Sequence, residues 1–582
     1  MSRRIILYLV AVGVFVCVYY RAYRSHKALP IGGAVVFHNV AWCSINGIDP
    51  LRSKNITHNQ VVRKIYEGLY SYHPFKKPLE IVPNLAEALP SISPDRRIYT
   101  FKIKKGILFQ DDACFPNGKG REVTAADFVF SFKRMVDPNH EVLYIDLIQG
   151  KIKGLDRWRQ QAVVDYAQEV EGLQAVDDYT LQITLIAPWS GFLNFLTMPI
   201  SFVVAREAVD YYGPEFINHP VGTGPFKLEG VFNPQAAKIE FVKNPTFRKK
   251  LFPDEAVHFD PSMQAYVGRQ LPLVDRIVTC LFPKKDTCKV DLNRVDNSPF
   301  ALKFVKDGKV GPSLAERGLV LYQACSSNTE LFIFNNSHPL FARNSYLRQA
   351  MSMAFDREMY NRTFYHNAAK IAQSLVPPVL MKDRLYSAYK RTLKNPYAYD
   401  LRRAKQYLAK AGFPAGKGLP EITLDTSTGE FFTDRAYFFA RCMAKIGIRV
   451  RVIANVCSEL DRKSENQATM MHMNAWVADD IDPLSFLQVV RTKNLIGLYY
   501  ENPTFNRLFD QAETIIDKRE RAGIFIKLSR MVAEEVPVIG AVHAPIQFLH
   551  QKWVKNVFYS GIEQELDQYI AVDMAEKSKA AS

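Results

Sequence analysis

An α/β protein of two or three domains is what this sequence predicts, and three observations carry that reading. Its 582 residues exceed what one hydrophobic core ordinarily organises. Between residues 421 and 453 a strand, a helix and a second strand follow one another, joined by short glycine-marked turns. Elsewhere alternating stretches such as 179–185 stand apart from capped amphipathic helices such as 124–134. Hydrophobic residues at 48% and charged residues at 23% are globular values. The net charge of +16 comes from Lys and Arg scattered singly and in pairs, with no basic block, so a nucleic-acid surface is not expected.

Taken in order, the chain opens with Arg3 and Arg4, a 16-residue apolar run from Ile5 to Tyr20, and then Arg21, Arg24 and Lys27. That run is long for a signal-peptide core and short for a spanning helix, and no small-x-small cleavage site follows. Cys17 lacks the preceding small residue of a lipoprotein signal. Residues 1–29 therefore read as an export signal or, preferentially, an uncleaved anchor, and the rest of the chain is expected outside the cytoplasm.

A strand at 34–37 leads through an irregular loop at Asp49-Pro50 to a helix running from about Thr57 into Tyr66-Glu-Gly-Leu-Tyr70. Residues 98–109 alternate apolar and polar side chains and read as a half-buried strand. Thr124 followed by Asp127 is a capping-box start for the next helix. His219-Pro-Val-Gly-Thr-Gly-Pro-Phe226 lacks the Lys-Ser/Thr and helix start of a phosphate cradle, so it reads as a rigid structural turn. A strand at 331–335 precedes a helix with apolar positions Leu347, Ala350, Met351, Ala354 and Phe355. A helix at 399–412 opens on Asp400 and closes on glycine. The 421–453 unit follows, and the chain finishes with a helix near 519–534 and a strand near 536–542.

Outside the apolar run there are seven cysteines, an odd number; Cys280 and Cys288 are the closest pair, and unpaired buried thiols are the expectation. No Gly-x-Ser-x-Gly, His-Glu-x-x-His or Gly-x-x-x-x-Gly-Lys motif occurs, so nothing supports an enzyme. Met470-Met-His-Met473 has soft metal donors, but in a strand they alternate between faces, and no metal or other cofactor is expected.

The most informative stretch is Asn474-Ala-Trp-Val-Ala-Asp-Asp-Ile-Asp-Pro-Leu-Ser-Phe-Leu487. It reads as a strand ending near Ala478, a turn, and a helix starting at Asp482-Pro483, with Asp as N-cap and Pro at the first helical position. Trp476 near Asp479 would set an aromatic wall beside a fixed negative charge, a combination suited to a cationic ligand group. A core Trp and a capped helix explain the same residues without a ligand.

A chain-wide pattern separates these readings. Ile48-Asp-Pro50, Ile65-Tyr-Glu-Gly-Leu69, Asn84-Leu-Ala-Glu87, Ser93-Pro-Asp95, Tyr99-Thr-Phe101, Thr124-Ala-Ala-Asp-Phe-Val129, Pro220-Val-Gly-Thr-Gly-Pro-Phe226 and Lys243-Asn-Pro245 lie in the first half. Leu347-Arg-Gln-Ala350, Asp356-Arg-Glu358, Ala404-Lys405, Ala411-Gly-Phe413, Ile446-Gly-Ile448, Ala478-Asp479 and Asp482-Pro483 lie in the second. In this order, from about residue 34 to 572, the chain resembles the bacterial extracellular solute-binding proteins of family 5, the oligopeptide- and dipeptide-binding receptors of ABC importers.

The resemblance implies a two-lobed periplasmic-binding-protein fold of class II type, with an extra subdomain and a ligand cleft between lobes. Residues 30–66, 200–320 and 540–575 would form lobe I, 67–199 the extra subdomain and 321–539 lobe II. A monomeric periplasmic receptor without cofactors is implied, one that gives its peptide to a permease in the inner membrane, with residues 5–20 as its tether. Carried over by position, Asp479 would pair with a peptide's free amino group and Trp476 would line the adjoining strand. Main-chain groups of Ala475 and Val477 would bond the peptide like an added strand, and Ile56 would line the other side. Met473 stands where oligopeptide receptors carry an arginine, and no basic residue is assigned to a ligand's carboxylate. Nickel complexes, haem and sugars are alternative ligands within the family, and a periplasmic chaperone or sensor is an alternative use of the cleft.

Overall fold

The computed structural model describes residues 34–41, 45–53, 56–140, 145–281, 297–298, 305–306, 308–381, 384–386, 394–491, 496–562 and 564–581. The expected export or anchor segment, Cys17, Cys43 and Cys288 lie outside these residues.

Two mixed α/β lobes make up the molecule. In the first, strands Val36–Ala41, Arg276–Leu281, Lys238–Lys243 and Phe226–Leu228 form one sheet in that order, its first pair parallel. Beside it, Ser91–Ile92, Ile98–Lys102, Thr180–Thr184 and Leu173–Asp177 form an antiparallel sheet. The two sheets share one core, which contains Phe37 and Ile277 from the first and Phe101 and Leu181 from the second. A buried ion pair crosses the same region: Arg134 grips Asp49 with contacts of 2.5 and 2.9 Å. Asp49 also accepts from the Leu51 amide at 3.1 Å, which starts a short helical turn, Pro50–Arg52, where the sequence suggested only a loop.

The second lobe is built on five strands ordered Val450–Asn455, Ile422–Ser427, Met471–Val477, Asn328–Phe334 and Val538–Gly540. Period-two alternation along the fourth strand divides its cores. Phe332 and Phe334 pack with the helices Ser345–Ala354 and Glu430–Ala444, while Leu331 and Ile333 pack with Pro503–Thr514 and Lys518–Glu535 on the opposite face. Two neighbouring chain crossings join the lobes. Strands Leu319–Cys325 and Pro545–Gln551 pair antiparallel and end opposite one another at Cys325 and Pro545. The Ser326 hydroxyl ties the crossings together by donating to the Ala544 carbonyl at 2.5 Å.

Several elements differ from the sequence expectation. The helix expected to reach Tyr70 ends at Ile65, because the Ile65 carbonyl accepts from the Gly224 amide at 2.7 Å and the chain turns into a strand, Tyr70–Tyr72. The glycine turn at 222–224 is structural: a Cβ on Gly222 would lie 2.0 Å from the Ile65 carbonyl oxygen. The strand expected over 98–109 stops at Lys102, and Gly106, at φ +76°, reverses the chain. The expected final strand is divided into Val538–Gly540 and Val542–His543. Cys114, Cys280, Cys325, Cys442 and Cys457 are free thiols, but Cys325 and Cys457 are exposed and not buried as expected.

Candidate functional site

The third strand of the second lobe is covered unevenly. Its neighbour Ile422–Ser427 pairs with it at Met471 and His472, whereas Asn328–Phe334 pairs along its whole length, Val477 included. Asn474–Val477 therefore has one open edge. The Ala478 amide points to the closed side, donating to the Ser327 carbonyl at 3.2 Å. Since main-chain groups of successive strand residues face opposite sides, those of Ala475 and Val477 face the open edge. The Ala475 amide is met there by the Asn474 side chain at 2.8 Å. Trp476, half-buried, packs against the core that holds Leu331 and Ile333.

Beyond the strand, the three aspartates have separate situations. Asp482 caps the short helix Pro483–Phe486, accepting from the Leu484 amide at 2.9 Å, and pairs with Arg521. Asp480 accepts from the Asp482 amide at 2.7 Å. Burial raises its carboxyl, against a hydrogen bond from Ser485 and the charge of Arg521. Asp479 is half-buried and has no hydrogen-bond or ion-pair partner among the described residues. Burial, then the neighbouring Asp480, push its carboxyl up to about 7, opposed by Arg63.

Arg63 belongs to the other lobe. It lies on the helix Ile56–Ile65, donates to the Thr197 carbonyl at 3.2 Å and stacks over Phe202 at 5.3 Å. Ile56, the first residue of that helix and 37% exposed, is two turns away and on the same face as Arg63. The Tyr72 phenol is likewise influenced by Asp480 and by the backbone at Ile481. The acidic turn of one lobe thus faces a wall of the other that contains Arg63 and Tyr72. Nearby, Lys151 pairs with Glu513 at 2.8 Å and the Ser190 amide donates to the Glu513 carbonyl at 2.8 Å, so the lobes also touch at a latch.

Sequence reasoning did not single out Arg63, Tyr72, Lys151 or Glu513. Each belongs to an ordinary helix, strand or loop, and its relation to the cleft exists only once the lobes meet. Behind Arg63 and Tyr72 lies a cavity of about 380 Å³, walled by the first lobe and its companion sheet. The Met-His-Met stretch takes a packing role. His472 lies in the core beside the Ile496 carbonyl, 2.9 Å away, with burial holding its imidazole down to about 4. Met473 is buried with its sulfur toward the Thr426 hydroxyl. Among the described residues, no three His, Cys, Asp or Glu side chains gather as metal ligands.

Comparison with known proteins agrees with this architecture. The chain is 27% identical over 512 residues to heme-binding protein A of Haemophilus influenzae, covering 84% of this chain and 83% of that protein. It is 24% identical to di/tripeptide-binding protein 2 of Pseudomonas aeruginosa over 532 residues, covering 88% and 89%. Among solved structures it superposes on the periplasmic binding protein DppA of Helicobacter pylori in complex with the peptide STSA, with a TM-score of 0.72 at 23% identity, covering 93% of this chain and 98% of the other. Residues 80–496 match the model of bacterial extracellular solute-binding proteins, family 5 middle region, a family of binding proteins and not of enzymes. The chain therefore belongs to family 5 of the bacterial extracellular solute-binding proteins.

Proposed function

We propose that this chain captures peptides with a free amino terminus in the cleft between its lobes and presents them to an ABC import permease in the inner membrane. The observation that carries this reading is Asp479, a carboxylate without a hydrogen-bond or ion-pair partner among the described residues, at the end of an open strand edge. An extended peptide bonding to the main chain of Ala475 and Val477 would run beside Trp476 and bring its ammonium group to Asp479. Ile56 and Arg63 would close over it from the other lobe. Main-chain pairing with one terminal charge favours short peptides with little side-chain selectivity, in keeping with the named ligands of the Pseudomonas relative and the Helicobacter structure.

In this reading residues 30–66, 200–320 and 540–575 form lobe I, 67–199 the extra subdomain and 321–539 lobe II, a division supported by the separate sheets and by the paired crossings at Cys325 and Pro545. The protein acts as a periplasmic monomer, with residues 5–20 as its export signal or tether. No helix among the described residues is long and apolar enough to cross a membrane. The test is mass spectrometry of ligand extracted from the purified protein, followed by titration calorimetry with that ligand. A short peptide whose binding is lost on N-acetylation supports the proposal. A haem, metal complex or sugar overturns the peptide assignment, and binding of unfolded proteins with blocked amines would favour the chaperone alternative.

A further inference from the structure

The cavity behind Arg63 and Tyr72 has a charge pattern that the amine-binding reading leaves unused. Its wall includes Lys104, Arg248 and Lys250, with Tyr72 and Tyr569 as aromatic sides. Two carboxylates are also present, and both are engaged. Glu67 receives both ends of the Arg248 guanidinium at 2.6 and 2.8 Å, the Thr223 hydroxyl at 3.0 Å and the Asn84 amide at 3.3 Å. Burial opposes its charge, but Arg248 holds it below the usual carboxylate range. Glu565 lies 3.8 Å from the Lys64 ammonium and accepts from the Gln568 amide at 3.2 Å.

The two lysines are not matched in this way. Lys104 donates to the Asn84 carbonyl at 2.7 Å and has no carboxylate within ion-pair distance among the described residues. Lys250 is held only by the face of Tyr569, 6.0 Å from the ring centre, and its ammonium has no hydrogen-bond acceptor among the described residues. Burial, then repulsion by Arg248, bring it down to about 8, with Glu67 and Glu565 acting the other way. A half-buried ammonium without an acceptor is costly, and an anion beside it relieves that cost. Arg63 and Tyr72 line this cavity, and the Asp479-Asp480 turn acts on both of them, which sets the cavity next to the amine site. A volume of about 380 Å³ is within the range of small-ligand sites.

We infer that the cavity receives the carboxylate end of the ligand, with Lys250 and Lys104 as its partners, while Asp479 holds the amine. This rests on the peptide reading and specifies it: the substrate is a short zwitterionic peptide lying across the lobe interface. It also gives a location for carboxylate recognition, which Met473, buried in the second lobe, does not supply.

The test uses the full chain and the peptides Ala-Phe, Leu-Ala and Ala-Ala-Ala, each as free acid, C-terminal amide and N-acetyl form, in titration calorimetry. Free acids are expected to bind about tenfold or more tightly than amides, the loss associated with a charged hydrogen bond. Lys250→Met is expected to bring that ratio near one by weakening the acids alone, and Lys250→Arg to preserve it. Circular dichroism establishes that both variants fold; if Lys250→Met does not, the acid-to-amide ratio of the parent and of Lys104→Gln decides. Equal binding of acids and amides by the parent, an unchanged ratio in Lys250→Met, or no binding of any of these peptides overturns the inference. Equal binding of N-acetyl and free-amine forms instead refutes the role of Asp479, and leaves the acid-to-amide comparison to judge the cavity.

Discussion

Replacing Asp479 by Asn removes a charge while keeping the size of the side chain, and its two expected effects have opposite signs. A carboxyl moved from 3.8 to about 7 favours the protonated form in the folded state. At about 1.4 kcal/mol per pH unit, linkage puts the resulting penalty on the ionised form at no more than ~4 kcal/mol. The side chain is only half-buried and Arg63 opposes the shift, which reduces the realistic effect to ~1–2 kcal/mol. Because the folded pKa is raised, this group's contribution to stability is present at low pH and lost as pH rises through about 7. Without ligand, Asp479→Asn should therefore melt at a higher temperature than the parent at pH 8, by less at pH 5, and close to it at pH 3, below the unfolded value of 3.8. With a free-amine peptide the variant should bind about 10- to 100-fold more weakly, the cost of losing a charge-assisted partner, while an N-acetyl peptide should distinguish the two proteins little. Scanning calorimetry without ligand and titration calorimetry with it measure both effects. A variant less stable than the parent at pH 8 would show that Asp479 has a structural partner. Unchanged affinity for free-amine peptides would refute the amine site itself.

The same shift predicts the pH dependence of binding: affinity for a free-amine peptide should fall by about tenfold per unit as pH drops below about 7, because the ligand needs the ionised carboxylate. Isothermal titrations between pH 5 and 8 check this, and a flat profile would contradict it. Gly222→Ala should destabilise the first lobe by at least ~2 kcal/mol in chemical denaturation, since the new Cβ would lie 2.0 Å from the Ile65 carbonyl oxygen. Lys151→Met removes a partly exposed interlobe ion pair, so it should cost no more than ~1 kcal/mol and appear as an up to about fivefold faster peptide dissociation in stopped-flow measurements. An unchanged dissociation rate would show that this latch does not contribute to closure.

Local chemistry was legible in the sequence where it depends on neighbours in the chain. Asp127 accepts from the Thr124 amide at 2.8 Å, Asp400 from the Arg403 amide at 2.9 Å and Asp482 from the Leu484 amide at 2.9 Å, each at a helix start expected from residue type and spacing. Features set by distant segments were less legible. The helix through Ile65 has suitable residues beyond it, yet it stops where Gly224 supplies an amide to its last carbonyl. The alternation at 98–109 continues past Lys102 in sequence, but the paired strand Thr180–Thr184 extends no further. Asp479 itself was indicated by position in a family pattern, and its lack of a partner depends on two lobes meeting. For that reason Arg63, Tyr72 and Lys250 gave no signal: nothing in their own segments distinguishes a lysine in a cavity from one in solvent.

Closure of the lobes can be argued from the placement of these charges. Bringing the second lobe down carries the adjacent Asp479 and Asp480 into a site that burial makes unfavourable for charge, while the first lobe contributes Lys104 and Lys250, which have no carboxylate within ion-pair distance among the described residues. Each lobe then has an electrostatic cost of the opposite sign, and the charge of Arg63, acting on Asp479 across the interface without an ion-pair contact, relieves only part of it. A zwitterion offers an ammonium to one side and a carboxylate to the other, so it binds the closed arrangement better than the open one. That differential affinity is the requirement for a ligand to shift a two-state equilibrium. A molecule carrying only one of the two charges would leave the opposite cost in place, so it should bind with less closure as well as less affinity. Small-angle scattering in saturating Ala-Phe, its amide and its N-acetyl form would separate the two contributions: full compaction is expected with the zwitterion alone, and equal compaction with all three would mean that closure is driven by the apolar and main-chain contacts of the strand edge.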